Sequence, residues 1–242
     1  MGGVAAYAVE GLVVSEVFGP TVAGEGPSCG RRVAFIRLGG CSLACSWCDT
    51  PYTWDATRFD LRAELSRVPV ADAVAQVEAM NVPLVVITGG EPLLQQTYPA
   101  FGELLRLLWD FEVEIETNGT RAPTEAAERG VSRFNVGLKL ANSGESEERR
   151  VAPAALARFR QLADVGGACF KTVCRDETDV AELAELVDRF ELDPDSVWVM
   201  PEGTTADATT AHLMRIADPA IAAGFNITPR LHVLAWGDER GR

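Results

Sequence analysis

Short apolar runs alternate with amphipathic stretches along most of the chain. Runs rich in Val, Ile, Leu and Phe are typical of buried strands, whereas apolar residues that recur every three to four positions are typical of helices packed on one face. This pattern predicts strands at 33–38, 84–88, 111–116, 134–140, 169–173 and 197–200, with a last strand starting at 224–227. It predicts helices at 71–80, 98–109, 153–163, 178–190 and 207–222.

The regular alternation of strands and helices predicts an α/β fold in which helices cover a parallel sheet. No repeat, low-complexity tract or linker interrupts the pattern, so we expect a single domain over 1–242. The helix at 71–80 and the stretch 142–149 are short or irregular, which predicts a reduced core. Together these features indicate an incomplete TIM-like β/α barrel.

Motifs with unusual residues follow one strand after another. Ligands of parallel α/β folds bind at the carboxyl ends of the strands. The motifs fall at those ends, and we therefore expect one shared site at the mouth of the incomplete barrel. They are a cysteine loop at 39–54, the segments 89–92, 117–119 and 200–203, and Lys139.

Composition and charge narrow the classes of function. Hydrophobic residues make up 47% and charged residues 24% of the 242, an ordinary globular balance. The net charge of −13 comes without a basic stripe, which argues against nucleic-acid binding and weakly favours a small-molecule substrate. No apolar run approaches the roughly 18 residues of a membrane helix, and the N-terminus lacks a basic n-region. We expect a cytoplasmic protein with no membrane partner.

Lys139 and Lys171 are the only lysines among 22 basic residues, and both lie in apolar, strand-like runs. Buried lysine requires a partner for its charge, which favours positions facing a polar pocket with carboxylates or phosphates. The alternative is a lysine at a strand end that extends to water.

Cys41, Cys45 and Cys48 form a C-x3-C-x2-C motif on one short loop. Three thiolates on a [4Fe–4S] cube leave one iron open for a small molecule. A structural zinc site would need a fourth ligand, but His212 and His232 lie far downstream. A disulfide would need an oxidising compartment, which nothing in the sequence supports. The spacing therefore favours an iron–sulfur cluster, with zinc as the alternative.

The cysteine motif and the Gly89-Gly90-Glu91-Pro92 segment together resemble the radical S-adenosylmethionine (SAM) superfamily. Glycine lets the backbone approach a ligand closely, and Glu91 could pair with an ammonium group. Alone, this segment would also suit an ordinary tight turn before a helix. The resemblance implies that SAM binds the open iron through its methionine end.

Further motifs resemble one family within that superfamily, the 7-carboxy-7-deazaguanine synthases, over nearly the whole chain from Glu16. The motifs are Gly19-Pro20-Thr21-Val22-Ala23-Gly24-Glu25-Gly26, Cys45-Ser46-Trp47-Cys48-Asp49-Thr50, Glu114-Ile115-Glu116-Thr117-Asn118-Gly119 and Leu231-His232-Val233-Leu234-Ala235-Trp236-Gly237. The resemblance implies ring contraction of 6-carboxy-5,6,7,8-tetrahydropterin with loss of ammonia, in queuosine or deazapurine biosynthesis. It also implies Mg²⁺, a homodimer and an electron donor of the flavodoxin or ferredoxin type.

The family's site residues can be carried over by position. The resemblance implies cluster ligands at Cys41, Cys45 and Cys48, and a Mg²⁺ ligand at Thr50. It implies a substrate-binding segment over 10–38 and catalytic residues Glu25, Arg37, Thr88 and His232. Substrate contacts are implied for Val22, Ala23, Gly24, Glu25, Arg37, Thr88 and Arg242. SAM contacts are implied for Trp47, Cys48, Asp49, Gly90, Glu91, Glu116, Asn118, Gly137, Leu138, Lys139, Met200, Pro201, Glu202 and Gly203.

Two positions depart from the family pattern. The family usually has Gln where Ala23 stands, which removes one side-chain hydrogen bond to the pterin. It often has Ser-Pro where Gly137-Leu138 stands, which removes a hydroxyl from the SAM side. Neither change affects the cysteines, Thr50 or Glu25.

Two other functions compete with this prediction. A glycyl-radical-enzyme activase shares the cysteine spacing, but Cys29, Cys169 and Cys174 are not spaced for a second cluster. An activase would also leave Glu25 and Thr50 without a role. The other competing function is a non-catalytic zinc-binding module.

Overall fold

The structure is a computed structural model that describes residues 11–242. Residues 1–10, including the first position of the expected 10–38 segment, lie outside the described residues. In the described part, nine strands form one sheet in the order β3-β1-β2-β4-β5-β6-β7-β8-β9. They are β1 (Leu12–Val22), β2 (Arg32–Leu38), β3 (Ser66–Val68), β4 (Leu84–Gly89), β5 (Glu112–Thr117), β6 (Arg133–Leu138), β7 (Ala168–Cys174), β8 (Val197–Pro201) and β9 (Asn226–Ile227).

Seven strands run parallel, each paired with the next in the order β2-β4-β5-β6-β7-β8-β9. Strand β9 does not pair with β3 or β1, so the sheet stays open. The structure therefore confirms the α/β class and the incomplete barrel. The sequence pattern missed β1, an 11-residue strand that pairs antiparallel with β2 and β3.

Helices separate the parallel strands. In the described residues they are α1 (Leu61–Glu64), α2 (Val70–Ala79), α3 (Pro99–Leu107), α4 (Glu125–Gly130), α5 (Glu147–Arg150), α6 (Pro153–Ala163), α7 (Glu177–Arg189), α8 (Ala206–Ala222) and α9 (Leu231–Trp236). The five longest match the expected helices within a few residues. Helix α7 begins one residue before the expected start, and the side chain of its N-cap Asp176 accepts from the N–H groups of Thr178 and Asp179.

One face of the sheet packs against these helices and forms the main apolar core. Successive side chains of a strand point to opposite faces, so every second residue contributes to this core. Ile36, Ile87, Ile115, Val136 and Phe170 each come from a different strand of it and are at most 1% exposed. The core fixes the register in which the parallel strands align their carboxyl ends.

The opposite, inner face of the same strands is mixed. Near β2 and β4 it holds a small apolar cluster of Ala23, Val33, Leu84 and Val86 with Phe35 packed on it. Farther along the sheet it is polar, with Glu114, Glu116, Asn135 and Lys171. Successive residues of β5, β6 and β7 therefore alternate between the apolar core and this polar inner face.

None of the helices among residues 11–242 is both long and apolar enough to cross a membrane.

Candidate active site

A cavity of about 500 Å³ lies at the carboxyl ends of the strands, bounded by the inner face of the sheet and the loops above it. It is lined by residues from β1 to the C-terminus, including the cysteine loop, Glu25, Arg37, Glu116 and Lys171. The expected shared site at the mouth of the barrel is therefore present as one continuous cavity.

The cysteine loop leaves the end of β2 and continues without regular structure to Thr50. Cys41, Cys45 and Cys48 are free thiols, and all three line the cavity. The loop is anchored from outside, because Ser46 N–H donates to Ser143 O at 2.8 Å and the Ala44 N–H donates to Glu145. These contacts hold the thiols toward the cavity.

Polar groups surround the sulfur atoms. The Trp54 indole N–H donates to Cys48 Sγ at 3.4 Å, and the Asn118 amide lies 3.8 Å from Cys41 Sγ. Burial raises the pKa of the Cys41 thiol to about 11 and also raises the pKa of Cys45. Such thiols ionise only beside a strong positive charge, and a coordinated metal supplies one.

Three cysteine thiols on one loop are a donor set of the type that binds iron–sulfur clusters. No three His, Cys, Asp or Glu side chains between residues 11 and 242 are grouped to hold one metal ion. A cubane takes each thiolate on a different iron, so its ligands need not converge on one point. With hydrogen-bond donors to two of the sulfurs, this donor set fits a [4Fe–4S] cluster.

The Gly89–Gly90 segment touches the backbone of the cysteine loop. Glu91 N–H donates to Gly40 O at 2.8 Å, and a Cβ on Gly90 would lie 2.1 Å from the same oxygen. Only glycine fits at position 90 without moving the loop. This contact ties the end of β4 to the cysteines.

Glu91 itself is fully buried and stabilises the neighbouring turn. Its carboxylate accepts from Leu93 N–H at 2.9 Å, from the Thr117 hydroxyl at 2.8 Å and from Asn118 N–H at 2.6 Å. Burial raises its pKa. The side chain lies beneath the cavity wall, so a contact with the SAM ammonium would require it to exchange these partners.

Glu25 lies at the centre of a buried ionic cluster. Its Oε2 accepts from Lys171 at 2.8 Å and its Oε1 accepts from Arg230 at 2.9 Å. Burial opposes ionisation, but Lys171 and Arg230 outweigh it and hold the pKa of Glu25 well below its usual range. The pocket therefore presents a fixed carboxylate, with one lone pair of each oxygen left for a ligand.

Arg230 connects three loops around the cavity. Besides Glu25, it donates to Asp49 of the cysteine loop and to Gly203 O at 2.6 Å. His232 lies two residues further along the chain, with Nε2 4.0 Å from Glu25 Oε1. Burial lowers the pKa of His232, so its imidazole is neutral near pH 7.

Arg37 extends from β2 into the other side of the cavity. Its Nε donates to Glu16 at 2.7 Å, and its guanidinium lies 5.2 Å from the Phe18 ring centroid. Glu16 also accepts from the Tyr52 hydroxyl at 3.1 Å and from Arg240 at 3.2 Å. Glu16 thus fixes Arg37 through Nε, while the terminal nitrogens of Arg37 make no hydrogen bond within residues 11–242.

Lys139 directly follows β6 and folds back along it. Its Nζ donates to Gly137 O at 2.8 Å and lies 5.7 Å from the ring centroid of Trp47. The indole N–H of Trp47 donates to Asn142 at 3.0 Å. Both lysines therefore face the cavity, as the sequence pattern predicted.

Most of the residues expected at the site lie on the cavity wall. Glu91, Leu138, Pro201 and Gly203 do not, and the side chain of Leu138 packs in the main apolar core instead. Ligand contacts at all of these positions remain predictions. On the wall are Val22, Ala23, Gly24, Glu25, Arg37, Cys41, Cys45, Trp47, Cys48, Asp49, Thr50, Thr88, Gly90, Glu116, Asn118, Gly137, Lys139, Met200, Glu202, His232 and Arg242.

The sequence interpretation missed Arg230, Glu16, Tyr52 and Arg240. Arg230 lies shortly after the last strand, and its position near a strand end could have indicated that it contributes to the cavity. The other three come together only through the pairing of β1 with β2 and the return of the C-terminal segment, which no local pattern shows.

Comparison with known proteins agrees with this geometry. The sequence model of the Radical SAM superfamily matches residues 35–154. The chain is 26% identical to the protein in the "Crystal structure of QueE from Escherichia coli", with a TM-score of 0.67 over 91% of this chain and 94% of that one. The fold and the cysteine loop thus define a radical SAM protein.

Two curated relatives identify the family. The 7-carboxy-7-deazaguanine synthase of Pyrobaculum aerophilum is 37% identical over 95% of this chain and 96% of its own length. The 7-carboxy-7-deazaguanine synthase of Halobacterium salinarum is 32% identical over 94% of this chain and 91% of its own length. The chain belongs to the 7-carboxy-7-deazaguanine synthase family of enzymes. Neither the activase nor the zinc-module alternative is supported.

Proposed function

We propose that this enzyme converts 6-carboxy-5,6,7,8-tetrahydropterin to 7-carboxy-7-deazaguanine and ammonia. The observation that carries the proposal is one cavity that combines three cluster-type thiols with an ionised Glu25 and a pre-positioned Arg37. The conversion is redox neutral, because substrate and product differ by the elements of one ammonia. The cluster and SAM, when bound, supply the radical that removes a hydrogen atom from the substrate.

The chain's own residues bind and orient the substrate. The N–H pair on the pterin's pyrimidine edge matches the free lone pairs of Glu25, which Lys171 and Arg230 keep ionised. The terminal nitrogens of Arg37 match the substrate carboxylate at the other end of the cavity. Thr88 on β4 is the register partner of Arg37 on β2, and its hydroxyl donates to Glu116 at 2.7 Å.

Magnesium fits the same arrangement. Mg²⁺ prefers oxygen ligands and commonly keeps several waters beside one or two protein or substrate oxygens. Thr50 lines the cavity next to Cys48, with 3.7 Å between its hydroxyl and Cys48 Sγ. In our proposal the Thr50 hydroxyl and the substrate carboxylate share the ion, which orients the substrate.

The resemblance to the family also suggests a cytoplasmic homodimer that receives electrons from a flavodoxin- or ferredoxin-type protein. Light scattering on purified protein tests the dimer. The predicted electron donor is tested by measuring whether a flavodoxin or a ferredoxin reduces the cluster.

The deciding experiment is anaerobic turnover with the carboxytetrahydropterin, SAM, reductant and Mg²⁺, followed through the ultraviolet absorbance of the deazaguanine. We expect product in wild type and a loss of at least about a hundredfold in kcat/KM for Glu25→Gln, which replaces an acceptor by a donor. Formation of 5′-deoxyadenosine without a ring-contracted product would refute the substrate while leaving the radical SAM class intact.

A further inference from the structure

Lys171 occupies an unusual position for a lysine. It lies in the middle of β7 and is only 5% exposed. Its Nζ is 2.8 Å from Glu25 Oε2 and 2.7 Å from Glu116 Oε1. One ammonium group is therefore shared between two carboxylates that come from distant parts of the sequence.

The two carboxylates face different parts of the cavity. Glu25 follows β1 and also contacts Arg230, whereas Glu116 lies in β5 and accepts from Thr88 through its other oxygen. Under the proposed function Glu25 receives the pterin, and the family resemblance implies a SAM contact for Glu116. Lys171 is then the side chain that touches an acceptor group of each ligand site.

Burial prevents the Lys171 ammonium group from leaving the bridge. A buried ammonium group cannot replace a lost carboxylate partner with water, so it stays with both carboxylates as long as they hold their positions. Burial opposes the charge of Lys171, yet Glu116 and Glu25 outweigh it and raise its pKa. A ligand that fixes one carboxylate therefore also fixes the ammonium group and, through it, the other carboxylate.

We propose that Lys171 is a positioning residue that couples pterin binding to SAM binding through the Glu25–Lys171–Glu116 bridge. This inference rests on the proposed function. The bridge is formed before either ligand binds, but its Glu116 side chain is 31% exposed and keeps some motion. The first ligand removes part of that motion, so the second ligand has less motion to remove. The coupling is positive and reciprocal: each ligand raises the affinity for the other by the same factor.

The test measures equilibrium binding and needs no turnover. In anaerobic protein with an oxidised cluster and no reductant, calorimetry gives the Kd of SAM with and without 6-carboxypterin. This aromatic analogue keeps the carboxylate and the N–H edge of the substrate. We expect about a tenfold ratio of the two Kd values in wild type, within the usual range of allosteric coupling. In Lys171→Met the ratio should fall to about twofold or less.

Lys139 is the matched control, because it is the other lysine of the chain and lines the same cavity. Its Nζ bonds to Gly137 O and to neither carboxylate of the bridge within residues 11–242. Lys139→Met should change ligand affinity without changing the ratio. Lys171→Arg keeps a cation at the bridge and should restore most of the coupling.

A second variant keeps the test valid if Lys171→Met does not fold. The side chain of Glu116 is 31% exposed, so Glu116→Gln should be tolerated and should weaken the bridge from its other end. A full tenfold ratio in Lys171→Met or Glu116→Gln, or independent binding in wild type, overturns the coupling and leaves the proposed function standing. Wild type that binds SAM but neither 6-carboxypterin nor the carboxytetrahydropterin refutes both.

Discussion

The two faces of the same parallel strands have different tasks. On the outer face, Ile115, Val136 and Phe170 are completely buried against helices and supply packing. On the inner face, the neighbouring residues Glu116, Gly137 and Lys171 line the cavity. The comparison shows that one step along a strand separates a residue buried in the apolar core from a residue on the cavity wall.

Among the inner-face loops, the cysteines should show the largest effect on function. Cys45→Ala removes one of the three expected cluster ligands, so we expect nearly complete loss of bound iron and of SAM cleavage. Wild type should hold about four irons per chain after anaerobic reconstitution, as measured by iron and sulfide analysis. Cys29→Ala is the control with normal iron content, and a normal iron content in Cys45→Ala would contradict the assignment.

Adjacent substitutions on β5 test the two faces directly. Ile115→Ala should lower the free energy of unfolding by about 2–5 kcal/mol, because it leaves a cavity in the core. Glu116→Gln keeps the side-chain volume and should change stability much less, while weakening SAM binding. Urea unfolding and calorimetry measure the two effects, and equal destabilisation by both variants would remove the distinction between the faces.

Gly24 tests how tightly the inner face is packed around its ligand groups. A Cβ at this position would lie 1.9 Å from His232 Nδ1, so Gly24→Ala must displace the imidazole. We expect about a tenfold loss of 6-carboxypterin affinity, the cost of a misplaced polar contact of about 1.4 kcal/mol. Gly102→Ala, with open space around its Cβ, is the control and should bind like wild type. Unchanged affinity in Gly24→Ala would show that His232 has room to move.

The smallest expected effect concerns pH. Burial lowers the pKa of His232 in the folded protein relative to the unfolded chain. The unfolded chain therefore binds more protons as the pH drops below about 6.5, and folding loses stability in that window. Wild type should lose more stability than His232→Gln between pH 7.5 and 5.5, as measured by urea unfolding. Equal losses of stability in wild type and His232→Gln would show that His232 does not cause the pH dependence.

The alternation of apolar runs was enough to predict where the parallel strands and the main helices lie along the chain. Side chains repeat every two residues along a strand and every three to four along a helix because of the local backbone geometry. These periods are therefore visible in the sequence itself. The antiparallel β1 escaped prediction because its strand residues are interrupted by Gly19 and Pro20. The pairing that makes it a strand is with β2 and β3, and pairing partners are not visible in a local pattern.

The sequence by itself determined which chemistry is possible here: three closely spaced cysteines, two rare lysines and motifs placed at strand ends. Only the tertiary structure decided which groups share charge, for example that Lys171 lies between Glu25 and Glu116, or that Arg230 meets Asp49. The physical reason is the range of the interactions. Periodicity and spacing act between near neighbours in the chain, whereas ion pairs form between whatever side chains the closed fold brings within a few ångströms.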